Sequence, residues 1–128
     1  MIESNREIKK PSEKRGIMPR FEASALRGYC VSVLMASGVE RSCAEAVADA
    51  LIDAELTGVS THGVSRLAVY MQRMDAGVMS RENNIRIVRE STSTLVVDAG
   101  NSLGAAAAKF AMERCIAKAK ETGCCFAS

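Results

Sequence analysis

Apolar residues recur along this chain first with a helical period and then with a strand period, and the change falls near residue 80. Leu26, Tyr29, Cys30, Val33 and Ser37 share one stripe of a first helix over residues 21–37 that Gly38 can terminate. Ser42 followed by Glu45 reads as a capping box opening a second helix, with hydroxyl and carboxylate each satisfying an orphan amide. Val47, Ala50, Leu51 and Ala54 then keep one face to about Leu56, and Gly58 is the stop. Thr61 is the expected N-cap of a third helix, whose apolar positions Val64, Leu67, Ala68, Met71 and Met74 run to Gly77. That assignment puts His62 and Gly63 in its first turn.

Past Met79, Ile85 and Ile87 alternate with polar neighbours, and after Glu90-Ser91-Thr92-Ser93 comes the β-prone run Leu95-Val96-Val97. These are two expected strands, paired as a hairpin. Gly100-Asn101-Ser102 turns the chain into a fourth helix with the stripe Ala108, Met112, Cys115, Ala119, ended by Lys118, Lys120 and Gly123. Cys124-Cys125-Phe126-Ala127 then opens an apolar run with the character of a buried strand, too short to complete a sheet. The expected class is α/β: a leader over 1–20, a three-helix segment over 21–80, and over 81–128 two strands and a helix of a catalytic domain cut short.

A length of 128 residues allows one ordinary domain, and 48% hydrophobic with 25% charged residues excludes disorder along the whole chain. No run of 18 apolar residues and no secretion-type apolar segment is present, so a soluble, cytoplasmic protein is expected, with no membrane partner. The net charge of +2 belongs to residues 1–20, which hold six basic and three acidic side chains. Their mixed signs and lack of aromatics favour a disordered leader over a nucleic-acid arm. Five cysteines, an odd number, contain no CxxC and no Cys/His pair at zinc spacing, so reduced thiols and no metal site are expected.

His62 is the only histidine and the natural candidate for proton transfer. If residues 61–77 are one helix, Arg66 lies one turn from it on the same face. A guanidinium matches the two oxygens of a carboxylate while an imidazole gives its proton to a neighbouring carbonyl oxygen, so the pair suits a 2-oxo or 2-hydroxy acid. The plainer alternatives are a structural histidine and an arginine paired with surface carboxylates. Gly100-Asn101-Ser102-Leu103-Gly104 could cradle an anion, but it is neither GxGxxG nor a P-loop, and tight turning accounts for its glycines. Asp49, Asp53 and Glu55 read as the solvated face of the second helix and receive no role; Met71 and Met74 read as core.

The stretch Gly58-Val59-Ser60-Thr61-His62-Gly63-Val64-Ser65-Arg66-Leu67, preceded by Val47-Ala48-Asp49-Ala50-Leu51-Ile52-Asp53-Ala54-Glu55-Leu56, resembles the NAD(P)-dependent malate/L-lactate dehydrogenases of the second type. That family includes ureidoglycolate and sulfolactate dehydrogenases and diketogulonate and piperideine-carboxylate reductases. Tyr70, Gly77, Leu95-Val96-Val97-Asp98, Asn101, Leu103-Gly104 and Ala119 to Gly123 continue the likeness, which covers residue 21 to the end. Ser60 stands where the family has an acidic residue and Thr61 where it has serine, whereas His62, Gly63 and Arg66 match. The resemblance implies that His62 is catalytic, exchanging a proton with the substrate oxygen. It also implies that Arg66, with Thr61 beside it, binds the substrate, and that NAD or NADP exchanges hydride with the substrate carbon. Family members are more than twice as long, act as homodimers and carry most of their cofactor-binding residues past the point where this chain stops, so no cofactor-binding residue is assigned. The expectation is an N-terminal portion of such an enzyme, inactive by itself. The alternatives are a non-catalytic remnant or an assembly module that pairs with a full-length relative.

Overall fold

Glycines with left-handed backbones set where the helices stop. The computed structural model describes residues 20–128, so the expected leader lies outside the described residues except for Arg20. Helix α1 spans Ala23–Ala36, α2 Arg41–Leu56 and α3 Arg66–Asp75. After α1, Gly38 (φ +93°) donates its amide to Met35 O at 3.0 Å and Val39 donates to Leu34 O at 3.1 Å, the two crossed bonds of a Schellman motif. Gly58 (φ +79°) closes α2 the same way, with the Gly58 and Val59 amides on Glu55 O and Ala54 O, and Gly77 does so for α3. An L residue in that conformation costs about 1 kcal/mol or more, so these stops are written in the sequence.

The periodicity gave the helix axes but not their rotation. Helix α1 buries Cys30, Val31 and Leu34 while Tyr29 is 57% exposed, so its inner stripe is turned by about one residue from the expected one. Helix α2 contacts α1 on one side and α4 on the other. It therefore buries Cys43, Ala44, Ala46, Val47, Ala48, Leu51 and Ile52, a wider face than a single stripe, with alanines letting its neighbours approach. The capping box is not formed. Helix α2 begins at Arg41 with Glu40 in the cap position, so Ser42 already lies inside the first turn. Its hydroxyl donates to Glu40 Oε1 at 2.7 Å, and the Glu45 carboxylate meets Arg41 instead.

The expected hairpin is present. Strand β1, Arg86–Glu90, runs antiparallel to β2, Thr94–Asp98, with an irregularity between Ile87 and Arg89 that leaves Val88 exposed. Helix α4, Gly104–Thr122, leads to a short strand β3, Phe126–Ala127, parallel to β2, giving a three-stranded sheet in the order β1-β2-β3. The final apolar run thus forms a strand as expected, but Phe126 is 71% exposed rather than buried. Helix α4 also presents a different face from the expected one. Ala106 and Cys115 are buried, whereas Ala108 faces out and Met112 is 60% exposed. Its orientation is set by α2 on one flank and by β2 and β3 on the other, with Lys118 reaching back to Ser91 O at 2.8 Å and to Glu90.

One apolar cluster joins Leu34 of α1, Val47 of α2 and Met74 of α3 to Leu103 and Ala106 at the start of α4. Leu95 and Cys115, the buried residues of β2 and the middle of α4, lie apart from it. Among the described residues no helix is long and apolar enough to cross a membrane.

Candidate functional site

The chain leaves α2 at Gly58 and makes one turn of 3-10 helix over Ser60–His62 before α3 begins at Arg66. The His62 amide donates to Val59 O at 2.8 Å and the Gly63 amide to Ser60 O at 3.2 Å, which closes this turn. Gly63 is then extended (φ −85°, ψ −152°), and the chain needs two more residues before helical bonding resumes. The expectation that Thr61 caps one continuous helix is therefore corrected. Thr61 and His62 sit in the short turn, α3 starts four residues later, and its cap position is held by Ser65. His62 and Arg66 do not share a helical face; they flank a break, His62 just before it and Arg66 as the first residue of α3.

Thr61 and His62 are exposed, Gly63 is buried and Arg66 is half-buried. Thr61 Oγ1 lies 3.0 Å from His62 Nδ1. A hydroxyl both accepts and donates, so it can receive a proton-bearing Nδ1 or supply a proton to a bare one. In either case the far nitrogen, Nε2, is the one left for a ligand. Arg66 has no carboxylate partner among the described residues, whereas Arg27, Arg41, Arg81 and Arg86 each have one.

Glu55, expected on the solvated face of α2 without a role, is half-buried against this turn. From the last turn of α2 its Oε1 accepts the Val64 amide at 2.8 Å. A Cβ built on Gly63 would overlap the Oε1 and Cδ of the same carboxylate. The spacing of Glu55 from Val64, nine residues and across a helix end, carries no periodic signal; a glycine after His62 that ends no helix was the clue available. A groove of about 650 Å³ opens on the α1 side of Glu55, lined by Phe21, Leu26, Ile52 and Leu56 with Arg20 at its rim. Its lining includes Glu55 but neither His62 nor Arg66.

The turn at 100–104 is occupied by its own bonds. The Gly100 amide binds Asp98 Oδ1 at 2.9 Å, and the buried Ser102 hydroxyl accepts from the Asn84 amide and donates to Glu82 O. Gly100 (φ +54°) passes so close to Asn84 that a Cβ would stand 2.8 Å from that of Asn84. Tight turning accounts for this segment, in which the Gly100 and Ser102 amides are taken by Asp98 and by Ala99 O. Among the described residues no group of three or more His, Cys, Asp and Glu is placed to hold a metal ion.

Malate dehydrogenase of Pyrococcus horikoshii OT3 superposes with a TM-score of 0.79 at 36% identity, over 82% of this chain and 30% of that one. The Δ1-piperideine-2-carboxylate reductase of Pseudomonas syringae, at 19% identity and a TM-score of 0.74, shares the fold. Among curated relatives, L-sulfolactate dehydrogenase of Methanocaldococcus jannaschii is 38% identical over 93 residues, 73% of this chain and 27% of its own length. The chain therefore spans less than a third of the proteins it matches. The sequence profile of the malate/L-lactate dehydrogenases matches residues 21–128, every element from α1 to β3, and with these relatives it places the chain in the malate/L-lactate dehydrogenase family.

Proposed function

We propose that this chain carries the proton-transfer and carboxylate-binding part of an oxidoreductase acting between 2-hydroxy and 2-oxo acids. The observation that carries the proposal is the contact of Thr61 with Nδ1 of an exposed His62, which leaves Nε2 open, within four residues of an arginine that has no carboxylate partner among the described residues. In the oxidation direction Nε2 takes the proton of the substrate hydroxyl; in reduction it returns one to the carbonyl oxygen. Arg66 holds the adjoining carboxylate through paired N–H donors and so fixes which oxygen faces the imidazole. Thr61 orients the ring and, exposed beside it, stands with Arg66 among the groups that line the bound acid. NAD or NADP is the proposed hydride partner; the described residues show no cradle for it, and no residue here is assigned to it.

By the same proposal the 128-residue chain alone is inactive, the full-length enzyme is a cytoplasmic homodimer, and neither nucleic acid nor membrane is a partner. Pyruvate titrated into the purified chain tests the binding half directly. The imidazole ¹H and ¹⁵N signals of His62 are expected to shift at millimolar pyruvate, and Arg66→Ala is expected to abolish the shift. An unmoved His62 at saturating pyruvate would count against the proposal.

A second reading, an assembly module, draws on the short edge strand β3, in which Phe126 is 71% exposed. It requires self-association that weakens in Phe126→Asp, which sedimentation measures.

A further inference from the structure

We infer that Glu55 is the positioning residue of the His62–Arg66 pair: from a neighbouring helix its carboxylate anchors the turn that leads into α3, and Gly63 is the residue that lets it in. The inference rests on the proposal that His62 and Arg66 bind an acid, but its physical content is separable from that proposal.

Helix α3 begins without a side-chain cap of its own, and the amides of Arg66 and Leu67 donate to Gly63 O and Val64 O of the turn before it. Ser65 in the cap position makes no side-chain cap bond, and the first turn holds no acidic residue. The first amides of a helix have no partner inside it, and the helix dipole favours an anion there. Glu55 brings its charge to this end from α2 and takes the amide of Val64, one residue before the cap, at 2.8 Å, so it holds the segment whose carbonyls receive the first amides of α3. The other side-chain bond on this turn, Ser65 Oγ to Ser60 O at 3.0 Å, closes the turn on itself and gives nothing to those amides.

Gly63 makes the approach possible. Its φ of −85° is open to any L residue, so the glycine is not required for its backbone conformation. What it provides is space, since a Cβ there would occupy the volume of the Glu55 carboxylate. The anchored amide is two residues after His62 and two before Arg66, so one hydrogen bond holds both sides of the break between the 3-10 turn and α3. Removing it frees the turn between the two groups that must face the same substrate.

The test is a double-variant cycle with spectroscopic readouts on the whole chain. Gly63→Ala is expected to lower the denaturant midpoint sharply in the natural background and much less in Glu55→Ala, where the added methyl enters the space the carboxylate has left. Glu55→Ala is expected to speed exchange of the Val64 amide by about tenfold and to broaden or shift the His62 imidazole signals, whereas Glu55→Gln, which keeps an acceptor oxygen, retains most of both. Additive effects of the two substitutions, or His62 signals unmoved by Glu55→Ala, overturn the inference. If the cycle is coupled and His62 moves, yet the natural chain does not respond to pyruvate, the hold of Glu55 on the turn is supported and the acid-binding proposal is what fails. A chain of Gly63→Ala too unstable to measure leaves the amide exchange and the Glu55→Gln comparison to decide.

Discussion

At position 61 only a hydroxyl does what the site needs, because the Nδ1 it faces is a donor in one imidazole tautomer and an acceptor in the other. Thr61→Ser is therefore expected to leave the tautomer distribution of His62 unchanged. Thr61→Val, of equal shape, should shift it, as ¹⁵N spectra of the imidazole will report. A lone His62 and a nearby Arg66 were legible as chemistry from residue types, and the hydroxyl before the histidine was legible as a motif feature. Their spatial relation was not. It depends on the extended Gly63, whose reason is the carboxylate of Glu55, and a contact between a helix end and a turn nine residues away has no period to read. Assigning Glu55 to a solvated face was the natural error, since its helix also carries the exposed acids Asp49 and Asp53.

Between elements, charge does modest work that pH can expose. Arg27 of α1 meets Asp49 of α2 at 2.5 Å, and the guanidinium's hydrogen bond holds the carboxyl below the usual aspartate range. A carboxyl depressed in the folded state stabilises the fold above its unfolded value, near 3.9, and loses that contribution as pH falls through the lower folded value. Both side chains are some 40–50% exposed, so the α1–α2 link contributes on the order of 0.2–1 kcal/mol. Urea unfolding of Asp49→Asn and the natural chain is expected to differ by that amount at pH 6 and to converge at acid pH. A difference that persists at pH 2 would assign the effect to something other than the ion pair. Element by element, the helix ends were the most legible feature, because a left-handed stop needs glycine whatever the surroundings. The hairpin was nearly as clear. Helix rotation was not, as Tyr29 and Met112 illustrate: apolar spacing defines a stripe, but which flank of the stripe is covered depends on partners far along the chain. The capping box at Ser42 failed for a related reason, since the path from Gly38 to Glu40 starts α2 two residues too early for the serine to serve.

Across the molecule, burial is divided unequally, and the five thiols are placed to report it. Cys30 and Cys43 belong to the large cluster shared by α1, α2, α3 and the start of α4, and desolvation is the main cause that raises both thiols above the ordinary range. Cys115 is as buried, but its part of the molecule holds few buried residues besides Leu95, and its Sγ touches that of the half-buried Cys125 at 3.2 Å. Cys124 is exposed. Iodoacetamide reacts with thiolate, so both exposure and a low pKa speed labelling, while a buried thiol reacts only through opening. Cys124 is expected to label first. Cys125 should follow more slowly, because partial desolvation and the Cys115 contact raise its thiol. Of the buried three, Cys115 should become reactive at a lower urea concentration than Cys30 and Cys43, which should label together at the main unfolding transition. Tryptic mapping separates Cys30, Cys43 and Cys115 from the peptide after Lys120 that holds both Cys124 and Cys125, and fragmentation of that peptide by tandem mass spectrometry tells the two apart. The expected order would mean that the β2-α4-β3 unit opens while the helices carrying His62 and Arg66 stay folded. Simultaneous labelling of Cys30, Cys43 and Cys115 would instead mean that Leu103 and Ala106 bind the two parts into one cooperative unit, and the candidate site would then depend on the sheet for its stability.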